Sequence, residues 1–215
     1  MQALFSPDSK IMQFLSRLCD LILLNLLFLL TCLPIVTIGA ASTALYTVCF
    51  RMGTDREEGL LRTYFRAFRD NFRQGTVLWV ILLLFFTGSG INLMLCLNRD
   101  GLWHYAMYLF ILLLVLAEFL FSYTFPLLSQ FGNSIAATLK NALLLSIGYL
   151  PRSLLIAVIN CMPLVLLLLN FYTFLQTAFL WVFLYFAGAA YVNSRLLNKV
   201  FAPYLPQSPE EPEEA

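Results

Sequence analysis

The sequence predicts an all-α membrane protein of about six transmembrane helices, with five as the other count it permits, and an amphipathic helix on the cytoplasmic face. Composition is the first ground: 60% of the residues are hydrophobic and 12% charged, against about 45–50% and about 25% in soluble domains. The second is the length of the apolar stretches. Leu18–Phe50 and Leu102–Ser129 carry one acidic residue each, and Gly75–Asn98 and Ser153–Ser194 carry no charged residue, while a helix needs about 20 residues to cross the hydrocarbon core. The third is that the cations collect in a few connecting segments.

In chain order, Ile11, Phe14, Leu15 and Leu18 fall at helical spacing behind a candidate cap at Ser6 or Ser9. They predict a short interfacial helix leading into a first span at 18–33. The approach lacks the pattern of a cleaved signal peptide. Leu33-Pro34 ends the span, because proline lacks the N–H and disfavours helix at the residue before it. Residues 35–50 are apolar but small, with Gly39, Ala40, Ala41, Ser42 and Ala44 suited to close backbone approach. Pro34 and Gly39 mark a hairpin turn, after which the segment either crosses or re-enters. Further spans are expected near 75–97, 102–129, 153–170 and 173–195, joined outside by very short links near 98–101 and 170–172. Residues 1–200 thus read as one membrane domain. Residues 201–215, which end in PQSPEEPEEA, read as an acidic, proline-rich disordered tail.

Short cytoplasmic loops are enriched in Lys and Arg. If both 18–33 and 35–50 cross, twelve of the thirteen cations share one face, with only Arg99 opposite. That arrangement favours six crossings, a plasma-membrane location and both termini in the cytoplasm. Such a basic face suits anionic headgroups, and no Lys/Arg arm suggests nucleic acid.

Residues 59–73, GLLRTYFRAFRDNFR, form the sharpest local pattern. Arg62, Arg66, Arg69 and Arg73 fall within about 60° of one another at 100° per residue, beside an apolar strip of Leu61, Phe65, Phe68 and Phe72. The helix is expected at the interface, either as a lipid anchor or as a docking surface for transporter subunits or another membrane protein. Asn71 belongs to the same segment.

Two acids lie inside apolar stretches, where an ionisable group is costly enough to suggest function. Asp20 is three residues from Arg17, which predicts an ion pair near the interface. Glu118 lies in VLAEFLF far from any cation, so it is protonated, paired across helices or beside a polar cavity. Its candidate partners are Asn25, Asn92, Asn160 and Asn170, and its role is open between helix–helix glue and proton or substrate handling. Gly88-Ser89-Gly90 reads as a close-packing or kinking point, and Pro126 and Pro163 as kinks.

The five cysteines lack a CxxC pair and read as apolar packing residues. His104 is the only histidine and lies between Trp103 and Tyr105 at an expected outer interface. Hydrolase, metalloprotease and phosphate-binding motifs are missing, so a non-enzymatic protein without cofactor or metal is expected. Phe65-x-Ala67-x-x-x-Asn71 and Ile135-x-Ala137-x-x-x-Asn141 hint at a duplicated unit, one in each half of the chain.

The run LNLLFLLTCLPIVTIGAASTALYTV from Leu24 to Val48, followed by Tyr64-Phe65-x-Ala67-Phe68-x-x-Asn71-Phe72, resembles the YesL family of bacterial integral membrane proteins of poorly defined function. The resemblance covers about fifty residues; the C-terminal half agrees only in hydropathy and helix count. It implies a Gram-positive type of host and an accessory role in carbohydrate uptake. It supplies no catalytic or binding residues. A small secondary transporter or channel using Glu118 is the alternative expectation.

Overall fold

A computed structural model describes residues 10–52, 59–97 and 101–205. Its helices are α1 (Lys10–Cys32), α2 (Ile38–Arg51), α3 (Leu60–Asp70), α4 (Phe72–Leu97), α5 (Leu102–Gln130), α6 (Ile135–Gly148), α7 (Leu150–Leu169), α8 (Phe171–Gln176) and α9 (Ala178–Tyr204). A single 3-10 turn, Ile35–Thr37, joins α1 to α2. Within α9, Trp181–Tyr185 form a π-helical turn.

Among the described residues, five helices are long and apolar enough to cross a membrane: α1, α4, α5, α7 and α9. The interfacial segment expected before 18 is continuous with the first span, since α1 runs unbroken from Lys10; Ser6 and Ser9 lie outside the described residues. Helix α6 occupies what the sequence suggested was only a connection. With 14 residues each, α2 and α6 reach about 21 Å at 1.5 Å per residue, short of the roughly 30 Å hydrocarbon core.

Side-chain contacts order the helix ends. Trp79, near the start of α4, donates from Nε1 to the Ile35 carbonyl at 2.7 Å, and its ring meets Phe121, toward the end of α5, at 6.0 Å. Phe131, just past α5, packs on Phe201 near the end of α9 at 5.8 Å. The turn after α1 therefore lies toward the end of the bundle where α4 starts and α5 and α9 finish. Further back along α1, Asn25 meets residues 181–187 and Phe28 meets Phe186, so α1 and α9 run in the same direction. Helix α2 begins and ends at this same end. Gly39 abuts Gly75, while Phe50 packs on Phe201 and Arg195 donates to the Met52 carbonyl at 2.9 Å. The segment 35–50 thus folds back inside the bundle instead of crossing it, and the preference for six crossings gives way to five.

Helix α2 is the centre of the core. Every residue from Gly39 to Cys49 is buried, and small side chains let neighbouring helices approach without leaving backbone groups unpaired. The ordered body extends past residue 200, because Phe201 is buried and Leu205 packs against the core; residues 206–215 of the expected tail lie outside the described residues. Gly88 and Gly90 do not mark close packing, since a Cβ at either position would meet nothing within 4 Å.

Candidate functional site: a polar cluster across four helices and a three-faced surface helix

Glu118 sits on α5 one helical turn before Ser122. Ser122 Oγ donates to Glu118 Oε1 at 3.0 Å, and Asn160 Nδ2 of α7 reaches both Ser122 Oγ, at 2.9 Å, and Glu118 Oε1, at 3.3 Å. Asn193 of α9 donates from Nδ2 to Asn160 Oδ1 at 2.9 Å and to the Tyr46 hydroxyl of α2 at 3.4 Å. One connected set of hydrogen bonds thereby ties α5, α7, α9 and α2 together. Among the described residues, the buried Asn193 Oδ1 has no hydrogen-bond partner, and no cation is among the groups that bond Glu118.

Of the asparagines proposed for Glu118, Asn160 is the partner and the others serve elsewhere. Asn92 bonds back to the Gly88 carbonyl of its own helix at 2.8 Å, and Asn170 caps α8 by accepting from Thr173 N. Asn25 is fully buried and holds the π turn of α9. Its Nδ2 donates to the carbonyls of Trp181 (3.1 Å) and Val182 (2.6 Å), and its Oδ1 accepts from Ala187 N at 2.8 Å. A π turn widens the regular ladder, so a side chain that both donates and accepts is matched to it. Sequence reasoning missed Ser122, Asn193 and Tyr46. Ser122 had a usable signal, since residues four apart on a helix are neighbours; Asn193 lies two residues before Arg195, where an asparagine does not stand out as an intramembrane polar group.

Asp20 makes no ion pair with Arg17 among the described residues, contrary to expectation. Arg17 is exposed, an exposed pair gains little, and base-before-acid is the weaker order on a helix.

The helix expected at 59–73 breaks at Asn71, where α3 ends and α4 begins. Asn71 bridges the break, its Nδ2 donating to the Ala67 carbonyl at 3.0 Å. Helix α3 has three faces, where the sequence showed two. Thr63, Tyr64 and Ala67 are buried against the body of the protein, with the Tyr64 hydroxyl 2.6 Å from Thr31 Oγ1 of α1. Burial raises the Tyr64 phenol above its ordinary pKa, which keeps it neutral. The aromatic strip stays largely outside, Leu61, Phe65 and Phe72 being 47%, 48% and 42% exposed and Phe68 partly covered by stacking on Tyr64. Arg62, Arg66 and Arg69 form the third, exposed face, and Arg73, also exposed, falls beyond the break.

Residues 21–93, about a third of the chain, match the family model described as "Protein of unknown function, DUF624", a family of bacterial membrane proteins. The matched part runs from α1 into α4 and so takes in the α2 core and the whole of α3. No curated protein and no solved structure matches the chain.

Proposed function

We propose that this multi-pass membrane protein is a non-enzymatic accessory that docks a membrane partner at its cytoplasmic face through α3. The observation that carries the reading is the three-way division of α3. One face is spent on attachment to α1 and α2, leaving an aromatic strip at the depth of the acyl boundary and an arginine face toward water or a partner. A lipid anchor would engage the same two exposed faces, the aromatic strip in the acyl boundary and the arginines at anionic headgroups; the firm attachment of α3 to the body, which an anchor does not require, favours the partner. The resemblance to the YesL family directs the search for the partner to membrane components of carbohydrate uptake.

The orientation that goes with this reading is five crossings with the C-terminus inside and the N-terminus outside. By the helix directions above, nine cations among the described residues fall at the α3 end: Arg51, Arg62, Arg66, Arg69, Arg73, Lys140, Arg152, Arg195 and Lys199. Lys10 and Arg17 fall at the other. That asymmetry satisfies the positive-inside rule without requiring 35–50 to cross, and it replaces the arrangement with both ends inside.

Photo-crosslinkers placed at Phe65 and Arg69 in cells test the docking. One membrane protein should be captured at both positions, and Arg62→Glu with Arg69→Glu should abolish its capture while insertion is unchanged. Lipid adducts alone, or capture unaffected by the charge reversal, would overturn the proposal.

A second reading makes the protein a small transporter or channel operating through Glu118. It is favoured by the four-helix cluster and by the unpartnered Asn193 Oδ1, since polar groups inside a membrane bundle commonly mark ion or proton paths. Proton or solute flux into proteoliposomes that falls with Glu118→Gln would support it; no flux in either protein would end it.

A further inference from the structure

Helices α4, α5 and α6 line an open groove of about 640 Å³ on the surface of the bundle. Its walls are apolar, Ile81 and Phe85 from α4, Leu120 from α5, and Leu139 and Leu143 from α6, and its one charged residue is Lys140. Lys140 is exposed and makes no hydrogen bond or ion pair among the described residues. Leu144 and Ile147, farther along α6, are exposed and apolar.

Both ends of α6 lie at the α3 end of the bundle. Just before α6, the Asn133 carbonyl accepts from Gln74 Nε2 at the start of α4, at 2.5 Å. Near its other end, the Ser146 carbonyl accepts from Ser153 Oγ, which contacts the Tyr123 hydroxyl of α5. Helix α6 therefore has both ends at this end of the bundle, which the orientation proposed above puts at the cytoplasmic headgroups. A lysine there extends its ammonium toward the headgroups while its stem covers apolar surface.

We infer that the groove is a binding site for one anionic phospholipid, its acyl chain between α4, α5 and α6 and its phosphate on Lys140. A lone cation at the margin of an otherwise apolar groove complements an amphiphile with one anionic head and an apolar tail. Basic pockets between transmembrane helices on the cytoplasmic side recognise such headgroups, and the volume falls within the roughly 300–1,000 Å³ of small-molecule sites. A zwitterionic lipid sets its own cation near the ammonium and is the poorer match. The site is separate from α3 and does not depend on what α3 docks.

Native mass spectrometry of the full chain in mild detergent, titrated with phosphatidylglycerol or phosphatidylcholine of the same acyl composition, tests the inference. One phosphatidylglycerol should be retained with about tenfold preference, the scale of a hydrogen bond to a charged group. Lys140→Gln should remove the preference and Lys140→Arg keep it. Leu143→Trp, which fills the groove and leaves Lys140 in place, should abolish the retained lipid. Equal retention of the two lipids, or unchanged retention in Lys140→Gln, would overturn the proposal. So would a dimer that Leu143→Trp dissociates without any lipid adduct, which would make the groove an interface between copies.

Discussion

Gly39 of α2 and Gly75 of α4 meet backbone to backbone. A Cβ on Gly39 would press on the Gly75 carbonyl and lie 2.7 Å from Trp79 Cβ, and one on Gly75 would lie 2.9 Å from Ala40 N. This contact brings Trp79 Nε1 to the Ile35 carbonyl and so secures the turn that sends α2 back into the bundle.

Alanine at either glycine should therefore destabilise the protein by about 1–3 kcal/mol, the usual cost of overpacking. At Gly88, where a Cβ meets nothing, alanine should be neutral or stabilising by up to about 1 kcal/mol through helix propensity. Thermal unfolding in detergent, followed by tryptophan fluorescence, compares the three variants. Equal behaviour of Gly39→Ala and Gly88→Ala would remove the close approach as the reason for glycine at position 39.

Asn25 gives a second prediction. Asn25→Leu keeps the approximate shape but leaves two carbonyls and one N–H of the π turn without their side-chain partner. A loss of about 1–3 kcal/mol is expected for groups left unsatisfied. Hydrogen exchange read by mass spectrometry should show faster exchange at Ala187 than at residues near Leu197. A stable variant with unchanged exchange would mean that the turn holds its own geometry.

In the Glu118 cluster, Asn160 is the residue with the most partners. Ser122→Ala and Asn160→Leu should be coupled in a double-mutant cycle by about 0.6–1.7 kcal/mol, the range seen for hydrogen bonds between membrane helices. Glu118→Gln keeps an oxygen that accepts from both neighbours and should unfold close to wild type. Strict additivity of the Ser122 and Asn160 changes would show that the bonds contribute nothing jointly.

The proposed orientation is tested by reporter fusions. Alkaline phosphatase, which is active only outside, should work when fused to the N-terminus and fail at the C-terminus, with a green fluorescent reporter showing the reverse. Identical behaviour at the two ends would restore an even number of crossings.

The long helices were legible because an uncharged run of twenty or more residues has few structural alternatives in a bilayer. Helix α6 was not, since Lys140 shortens its apolar run and its length is too small for a span. For α3 the pattern exposed the two outward faces and concealed the buried one. Membrane helices pack through small and polar residues, here Thr63 and Ala67 with Tyr64, which a search for large apolar residues passes over. Glu118 was recognisable as an anomaly, yet its partner on another helix lies 42 residues away on α7 and connects it in turn to α9.

The residues alone were enough to show that the bilayer is the solvent, where the long helices run, and that 59–73 carries a basic face beside an aromatic one. Each follows from local composition and period. It took the packed helices to show that α2 turns back instead of crossing, that α1 and α9 run the same way, and which polar groups share a bond. Those outcomes depend on which helix faces touch, and the Gly39–Gly75 approach that sets the turn is a property of two helices together.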